Sequence, residues 1–278
     1  MVYNIKDGIG FRWDDEFSKK DCPVHYPHTH EYSELYFHIR GKCSYMVENG
    51  IYNICCGTVV ITRPNELHCV HIDEDTQYER IYFRIEENAL DFLGTDGIWR
   101  CFRDRPLGQN SVLRLPKEQM DAFVARMKYV DMLYRDHSPD SSAVALAELL
   151  GIIHEVNKIY KKPSIIEEAL YSTLVNSALR CINRDLKHLG SVDELADALY
   201  VSREYLSRCF SAQVGMPLSK YITRKRVEYA KTLLRRGMKL DEVCSECGWN
   251  DYSYFIYVFR RETGMTPLRY RAIHTADT

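Results

Sequence analysis

The 278-residue chain contains no apolar run of membrane-spanning length, which argues against a membrane partner. Its first residues lack the charged-then-apolar pattern of a secretory signal peptide. It also lacks a strong net charge: 37 Lys+Arg against 39 Asp+Glu leave −2, with a pI near 6.6. Taken whole, that balance argues against a uniformly basic nucleic-acid binder. Cysteine is not scarce, at ten residues, but the pattern of a metal cage is missing. Cys244-x-x-Cys247 has no second pair nearby and lies on an apolar helix face, which argues against structural zinc. Several cysteines fall on faces expected to be buried, where a free thiol acts as a small hydrophobe. The expectation is a soluble protein of a reducing cytoplasm rather than a disulfide-rich secreted one.

The near-zero charge conceals a division. Residues 1–177 carry 20 Lys+Arg and 27 Asp+Glu, a net −7, whereas residues 178–278 carry 17 and 12, a net +5. The basic part also contains a repeated pattern. In the first copy, Val192, Leu195, Ala196 and Leu199 recur at helical spacing, with Ser191 as N-cap and Glu194 as its capping-box partner. After the turn Tyr200-Val201, Ser202 caps a second helix with an expected buried face of Tyr205, Leu206, Cys209 and Phe210, and Gly215 ends it. The opposite face offers Arg203, Glu204, Ser207 and Arg208. The second copy has Leu240, Val243, Cys244 and Cys247, a turn at Gly248-Trp249, an expected buried face of Tyr254, Phe255, Val258 and Phe259, and a stop at Gly264. Its outward face carries Tyr252, Ser253, Ile256 and Tyr257, followed by Arg260 and Arg261. The joining segment, if helical, spans roughly 28 Å at about 1.5 Å per residue. Successive major-groove faces on one side of B-DNA lie roughly 34 Å apart. Two helical hairpins can also be mere packed helices; the repeat, the spacing and the arginines favour double-stranded DNA.

The stretch LADALYVSREYLSRCFSAQVGMPLSKYITRKRVEYAKTLL and the tail G-W-N-D-x-S-Y-F-x-x-x-F-R-R-x-x-G-M-T-P-x-x-Y-R resemble the DNA-binding domain of AraC/XylS-type transcription regulators. The tail includes Gly248, Ser253, Phe255, Phe259, Gly264, Pro267, Tyr270 and Arg271. The resemblance implies that Arg203, Glu204, Ser207 and Arg208 read one groove, and Tyr252, Ser253, Ile256 and Tyr257 the next. This chain departs at Tyr257, where a basic residue is usual, and at Ile256, where a small polar one is common. The second head is therefore expected either to make apolar contacts, for instance to thymine methyls, or to be the less specific of the two.

From about Gly10 to Ile85 short β-branched and aromatic runs alternate with turns, and Asn49-Gly50 marks a hairpin. His28 and His30 share strand parity with Glu34, and His68 arrives in a later run. Two imidazoles, a carboxylate and a third imidazole suit a divalent transition metal. The pattern resembles the cupin signature, from which Arg63 and Asn65 depart where Pro and Gly are preferred. AraC-type sensor domains resemble cupins too, and many bind organic effectors without metal. Three readings of these residues stay open. His28, His30, Glu34 and His68 form a metal site; or His28, His30, Glu34, Tyr36, His38 and His68 line an effector pocket; or the histidines satisfy internal hydrogen bonds. The 20 tyrosines fit a sugar, as does family precedent.

The fold expected is α+β in two domains: a cupin-like barrel followed by helices, then an all-α double helix-turn-helix. The boundaries expected are 1–110 for the barrel, 111–163 for a helical pair, 164–187 for a linker helix and 188–278 for the DNA-binding domain. Helices are expected over 117–134 and 143–160, the second interrupted or kinked near Gly151, and over 165–186. The helical pair implies a homodimer by the family resemblance. The function expected is a non-enzymatic, sequence-specific regulator controlled by a small-molecule effector, acting on RNA polymerase in the family-typical case. The alternatives are a metal-dependent cupin enzyme fused to a DNA-binding module, and a constitutive dimeric DNA binder.

Overall fold

Strand β3 (Ser33–Arg40) reads as a near-continuous apolar run because both of its faces are buried. The computed structural model describes residues 2–20, 27–48, 50–105, 108–160, 168–169 and 172–275. They form two compact units that part between Ala169 and Leu170.

The first unit begins with β1 (Val2–Lys6) and β2 (Ile9–Ser18), and continues after β3 with β4 (Cys43–Val47), β5 (Gly50–Ile54), β6 (Thr58–Thr62), β7 (His68–Ile72) and β8 (Thr76–Ile85). Short helical turns follow, then α1 (Arg100–Arg103) and β9 (Val112–Arg114), then α2 (Lys117–Arg135) and α3 (Ser141–Tyr160). The last strand, β10, is Glu168–Ala169. One sheet runs β1-β2-β8-β3-β6-β9 and the other β10-β5-β4-β7. The expected hairpin joins β4 to β5, with Val47 opposite Gly50. Side-chain alternation sorts the first sheet into two faces. Leu35, Phe37, Ile61, Ile81 and Phe83 meet Phe123, Met127, Leu149 and Ile153 of the helical pair. Phe37 and Phe123 lie 4.2 Å apart between ring centroids. Burying each such ring contributes about 1.5–3 kcal/mol. Tyr36, Val60 and Tyr78 point the other way, against Tyr45, Val47, Tyr52 and Val70 of the second sheet.

Two expectations need adjustment here. The helix Ser141–Tyr160 runs without interruption through Gly151, and the space around that residue is open. Residues 164–187 carry the strand pair Glu168↔Tyr52 and Ala169↔Ile51, where the chain completes the open edge of β5, and a helix only from Thr173. Residues 161–167 and 170–171 lie outside the described set, as do Cys22 and Asn49.

The second unit is helical: α4 (Thr173–Arg184), α5 (Val192–Ala198), α6 (Arg203–Val214), α7 (Leu218–Arg235), α8 (Leu240–Glu246), α9 (Tyr252–Thr263) and α10 (Pro267–Thr275). Ser191, Ser202 and Asp251 cap α5, α6 and α9 through their side chains. Gly215 and Gly264 close α6 and α9 in the left-handed conformation, with φ of 75° and 78°. The long helix α7 buries Tyr221, Ile222, Val227, Leu233 and Leu234 and carries one helical hairpin at each end. Among the described residues no helix is long and apolar enough to cross a membrane.

Candidate nucleic-acid interface and effector site

Helix α6 starts where Ser202 Oγ accepts the Tyr205 amide at 3.2 Å, leaving its first turn pointing outward. Arg203, Glu204 and Arg208 are exposed and Ser207 is half-buried. Arg203 pairs with Asp193 at 2.9 Å across the surface. Such an exposed pair contributes little and yields readily to a phosphate. Arg208 stacks over the Tyr205 ring at 5.7 Å. Tyr205 itself is 47% exposed, a correction to its expected place on the buried face. Leu206, Phe210 and Val214, at true helical spacing, fill that face instead.

Helix α9 repeats the arrangement, with Asp251 Oδ1 accepting the Tyr254 amide at 2.8 Å. Tyr252, Ser253 and Tyr257 are exposed together with Arg260 and Arg261. Ile256 is not among them. It is half-buried and packs on the core of Trp249, Phe255 and Phe259. Conversely Tyr254, expected inside, is 53% exposed. The helix turns by about 100° per residue. Once Phe255, Val258 and Phe259 define the inner stripe, residue 256 falls on its flank and residue 254 outside it. Arg261 lies over the Tyr257 ring at 5.8 Å. A close backbone approach ties the second head to the chain entering the first. A side chain at Gly248 (φ 77°) would meet the carbonyl oxygens of Leu186 and Lys187 at 2.8 Å.

In the first unit His28 pairs with His68 through two backbone hydrogen bonds of 3.0 Å. One ligand atom from each of His28, His30 and His68 lies within 4.8 Å of the other two. His30 Nδ1 donates to the Tyr32 carbonyl at 2.8 Å, and His68 Nδ1 donates to the Glu66 carbonyl at 2.8 Å. A carbonyl can only accept, so in each ring Nδ1 is the donor and Nε2 is turned inward. Both Nε2 atoms are buried without a hydrogen-bond partner. Glu34 Oε2 stands 3.7 Å from His30 Nε2. Burial opposes ionisation of Glu34, but the contact from His30 and the Arg80 guanidinium outweigh it and bring the carboxyl down to about 2. Burial, with His30 and His28 behind it, lowers His68 to about 3 and holds it neutral. Backbone-anchored imidazoles with inward Nε2 atoms beside a carboxylate are a donor set that fits a divalent transition ion.

Tyr36 and His38 do not join that cluster. His38 Nε2 donates to the Gly41 carbonyl at 3.0 Å and Nδ1 accepts from Tyr36 Oη at 3.1 Å. Tyr36 Oη in turn lies 3.1 Å from Tyr78 Oη. Burial lowers His38 to about 4, so it sits neutral inside a satisfied chain of hydrogen bonds.

Two groups of charged residues escape a linear reading. Glu66 and Arg105, both wholly buried, form a bidentate pair. Glu66 also accepts from the Arg63 and Gly108 amides at 3.0 and 2.8 Å. Arg63 and Asn65, the departures from the cupin pattern, therefore serve a local design: Arg63 donates to the Arg105 carbonyl, and Asn65 takes a φ of 67°, the glycine-like region. The second group is Arg80, bonded through Nε to Asp14 Oδ2 at 3.0 Å. Nothing local in the sequence pairs either couple, since their members lie 39 and 66 residues apart.

Two capped, solvent-facing helices on a shared spine, in a chain that also carries a histidine-bearing barrel, define a DNA-binding regulator with a ligand-binding domain. Residues 195–273 match a helix-turn-helix domain family, and residues 21–98 match the AraC-like ligand-binding domain. The chain belongs to the AraC-type transcription regulators. It is 27% identical over 255 residues to the HTH-type transcriptional activator RhaR of Cronobacter sakazakii, covering 88% of this chain and 86% of that one. It is 24% identical to RhaR of Escherichia coli over 254 residues, covering 89% and 87%. Among solved structures, the C-terminal domain of the response regulator yesN from Fusobacterium nucleatum is 31% identical, covers 34% of this chain and 93% of that one, and gives a TM-score of 0.33. The DNA-binding domain of AdpA in complex with a target DNA is 28% identical, covers 38% and 96%, and gives a TM-score of 0.36.

Proposed function

We propose that the protein is a sequence-specific, non-catalytic transcription activator, dimeric through its helical pair, whose barrel binds a small hydroxylated effector such as a sugar. The observation that carries the reading is the repetition of a capped helix with exposed arginines at both ends of α7. Arg203, Glu204, Ser207 and Arg208 are the base-reading set of the first head. Tyr252, Ser253 and Tyr257 are that of the second, with Ile256 contributing packing at its edge. His28, His30, Glu34 and His68 line the effector site. The same four residues would hold a divalent ion, whose chemistry there is Lewis-acid attraction for effector oxygens. The effector acts by its differential affinity for two arrangements of the dimer, and so changes which DNA sites are occupied. Contact with RNA polymerase accounts for activation, in keeping with the activator names of the relatives.

A randomised-oligonucleotide selection with the full chain is expected to enrich a motif of two half-elements about one helical turn apart. Arg208→Ala is expected to weaken binding to that motif by about 1–3 kcal/mol and to relax the preference at one position. Equal weakening on motif and random DNA would make Arg208 a phosphate contact. No enriched motif would overturn the reading. Addition of a metabolite extract is expected to change motif occupancy by the intact protein but not by the Glu34→Ala/His68→Ala variant.

A further inference from the structure

In the second unit, α6, α7, α8 and α9 each close on a glycine in the left-handed region: Gly215, Gly237, Gly248 and Gly264, with φ between 75° and 79°. That conformation presses a Cβ against the neighbouring carbonyl, and glycine escapes the penalty. Helix α5 closes differently. Its left-handed residue is Tyr200, with φ 58°. The hydrogen bonds at this end match those that close α8. The Tyr200 and Gly248 amides each donate to the carbonyl three residues back, that of Asp197 or Ser245. The Val201 and Trp249 amides each donate to the carbonyl five residues back, that of Ala196 or Cys244. The same turn is thus built twice, once with glycine and once with a bulky residue, for which this region is an outlier.

The two positions differ in their surroundings. At Gly248 a side chain would collide with the Leu186 and Lys187 carbonyls, so space as well as φ imposes glycine there. At Tyr200 the space is open. Its side chain is 96% exposed, more than any other large apolar side chain among the described residues. The ring therefore gives the fold little packing to offset its backbone strain. Strain retained in this way clusters where a residue meets a ligand. The place of Tyr200 in the chain says which one. Ser202, two residues on, caps α6, whose first turn presents the exposed Arg203 and Glu204. In such a hairpin the first helix crosses the DNA backbone and the second meets base edges with its N-terminal residues. The turn between them lies over the edge of the groove.

We propose that Tyr200 is a DNA-backbone contact of the first head, its hydroxyl donating to a phosphate beside the groove that α6 enters. Tyrosine is among the side chains that bond phosphates, and such contacts fix register and orientation rather than read sequence. Glycine at this position would give a more stable turn and no contact. The second head has no counterpart, because Gly248 is committed to close packing. The inference rests on α6 being a reading helix and adds to it a residue outside the base-reading set.

The test uses the full-length protein, its selected motif and an unrelated duplex. Tyr200→Gly is expected to raise the melting temperature while weakening DNA binding about tenfold, the order of one hydrogen bond to a charged group. The loss is expected to be equal on both duplexes, because a phosphate carries no sequence information. The slope of affinity against salt is expected to stay as it is, because a neutral hydroxyl displaces no counterion. Tyr200→Phe is expected to lose most of the same affinity at an unchanged melting temperature. Ethylation of single phosphates is expected to reveal one that weakens the wild-type complex and leaves the Tyr200→Phe complex unaffected. Unchanged affinity in Tyr200→Gly, full affinity in Tyr200→Phe, or a lower melting temperature in Tyr200→Gly overturns the contact. Loss of transcription activation at unchanged DNA affinity would assign the ring to RNA polymerase and overturn it as well. If Arg208→Ala weakens binding to the motif while both Tyr200 variants bind as the wild type does, the tyrosine contact falls and the reading helix stands. If no motif is enriched, the base reading falls, and the unrelated duplex alone decides whether Tyr200 holds DNA.

Discussion

Glu66 shows how one residue acts at a distance in sequence. Its carboxylate binds Arg105 from both oxygens, and its carbonyl holds His68 Nδ1 in place. Removing one partner of a buried ion pair strands the other charge, at a cost of about 3–5 kcal/mol. Glu66→Gln is expected to lose stability of that order in denaturant titration. A loss below about 1 kcal/mol would mean that the guanidinium finds other acceptors. His38 gives a residue-scale prediction in pH. Burial lowers it to about 4, below its ordinary value of 6.5. Below pH 6.5 the unfolded chain takes up a proton that the folded chain refuses, so the unfolded state gains protons and stability falls as pH drops toward 4. The melting temperature is expected to decline over that window and to decline less in His38→Gln. An identical slope in the variant would assign the effect elsewhere.

At the scale of elements, the two reading helices depend on their first turns. Ser202 and Asp251 each satisfy an otherwise orphaned amide, and each sits where the chain must leave a turn to enter a helix. Loss of such a cap costs about 1 kcal/mol. Asp251→Ala is expected to lower stability by that amount and to weaken DNA binding more than Asp251→Asn, which keeps an acceptor. Equal affinities for the two variants would show that the carboxylate charge, not the cap, matters. The strand β8 is the corresponding element of the barrel. It lies between β2 and β3, and its alternate residues feed the helix-facing core and the face between the two sheets at once. A one-residue slip would exchange those two sets, so its register is strongly held.

For the whole molecule the division of charge is decisive. The C-terminal hundred residues are net basic and bear the exposed Arg203, Arg208, Arg260 and Arg261, while the preceding part is acidic. DNA affinity is therefore expected to fall linearly on a double-logarithmic plot against salt, with a slope near −0.9 per phosphate neutralised. A flat plot between 50 and 200 mM salt, roughly the range in which such slopes are measured, would deny phosphate contact.

The sequence alone settled what depends on near neighbours. The caps at Ser191 and Ser202, the stops at Gly215 and Gly264 and the hairpin at Gly50 are all local relations, and all are present in the fold. Helix faces were legible less sharply: Tyr205, Tyr254 and Ile256 are amphipathic or marginal residues whose side of the helix is fixed by the core they meet. Only the tertiary structure decided that His38 is satisfied apart from the other histidines. Only it decided that Glu66 finds Arg105, and that Arg80 finds Asp14. Those groupings depend on register between strands that are far apart in the chain. Register follows from which arrangement buries the most apolar surface overall, so no short window of residues contains it.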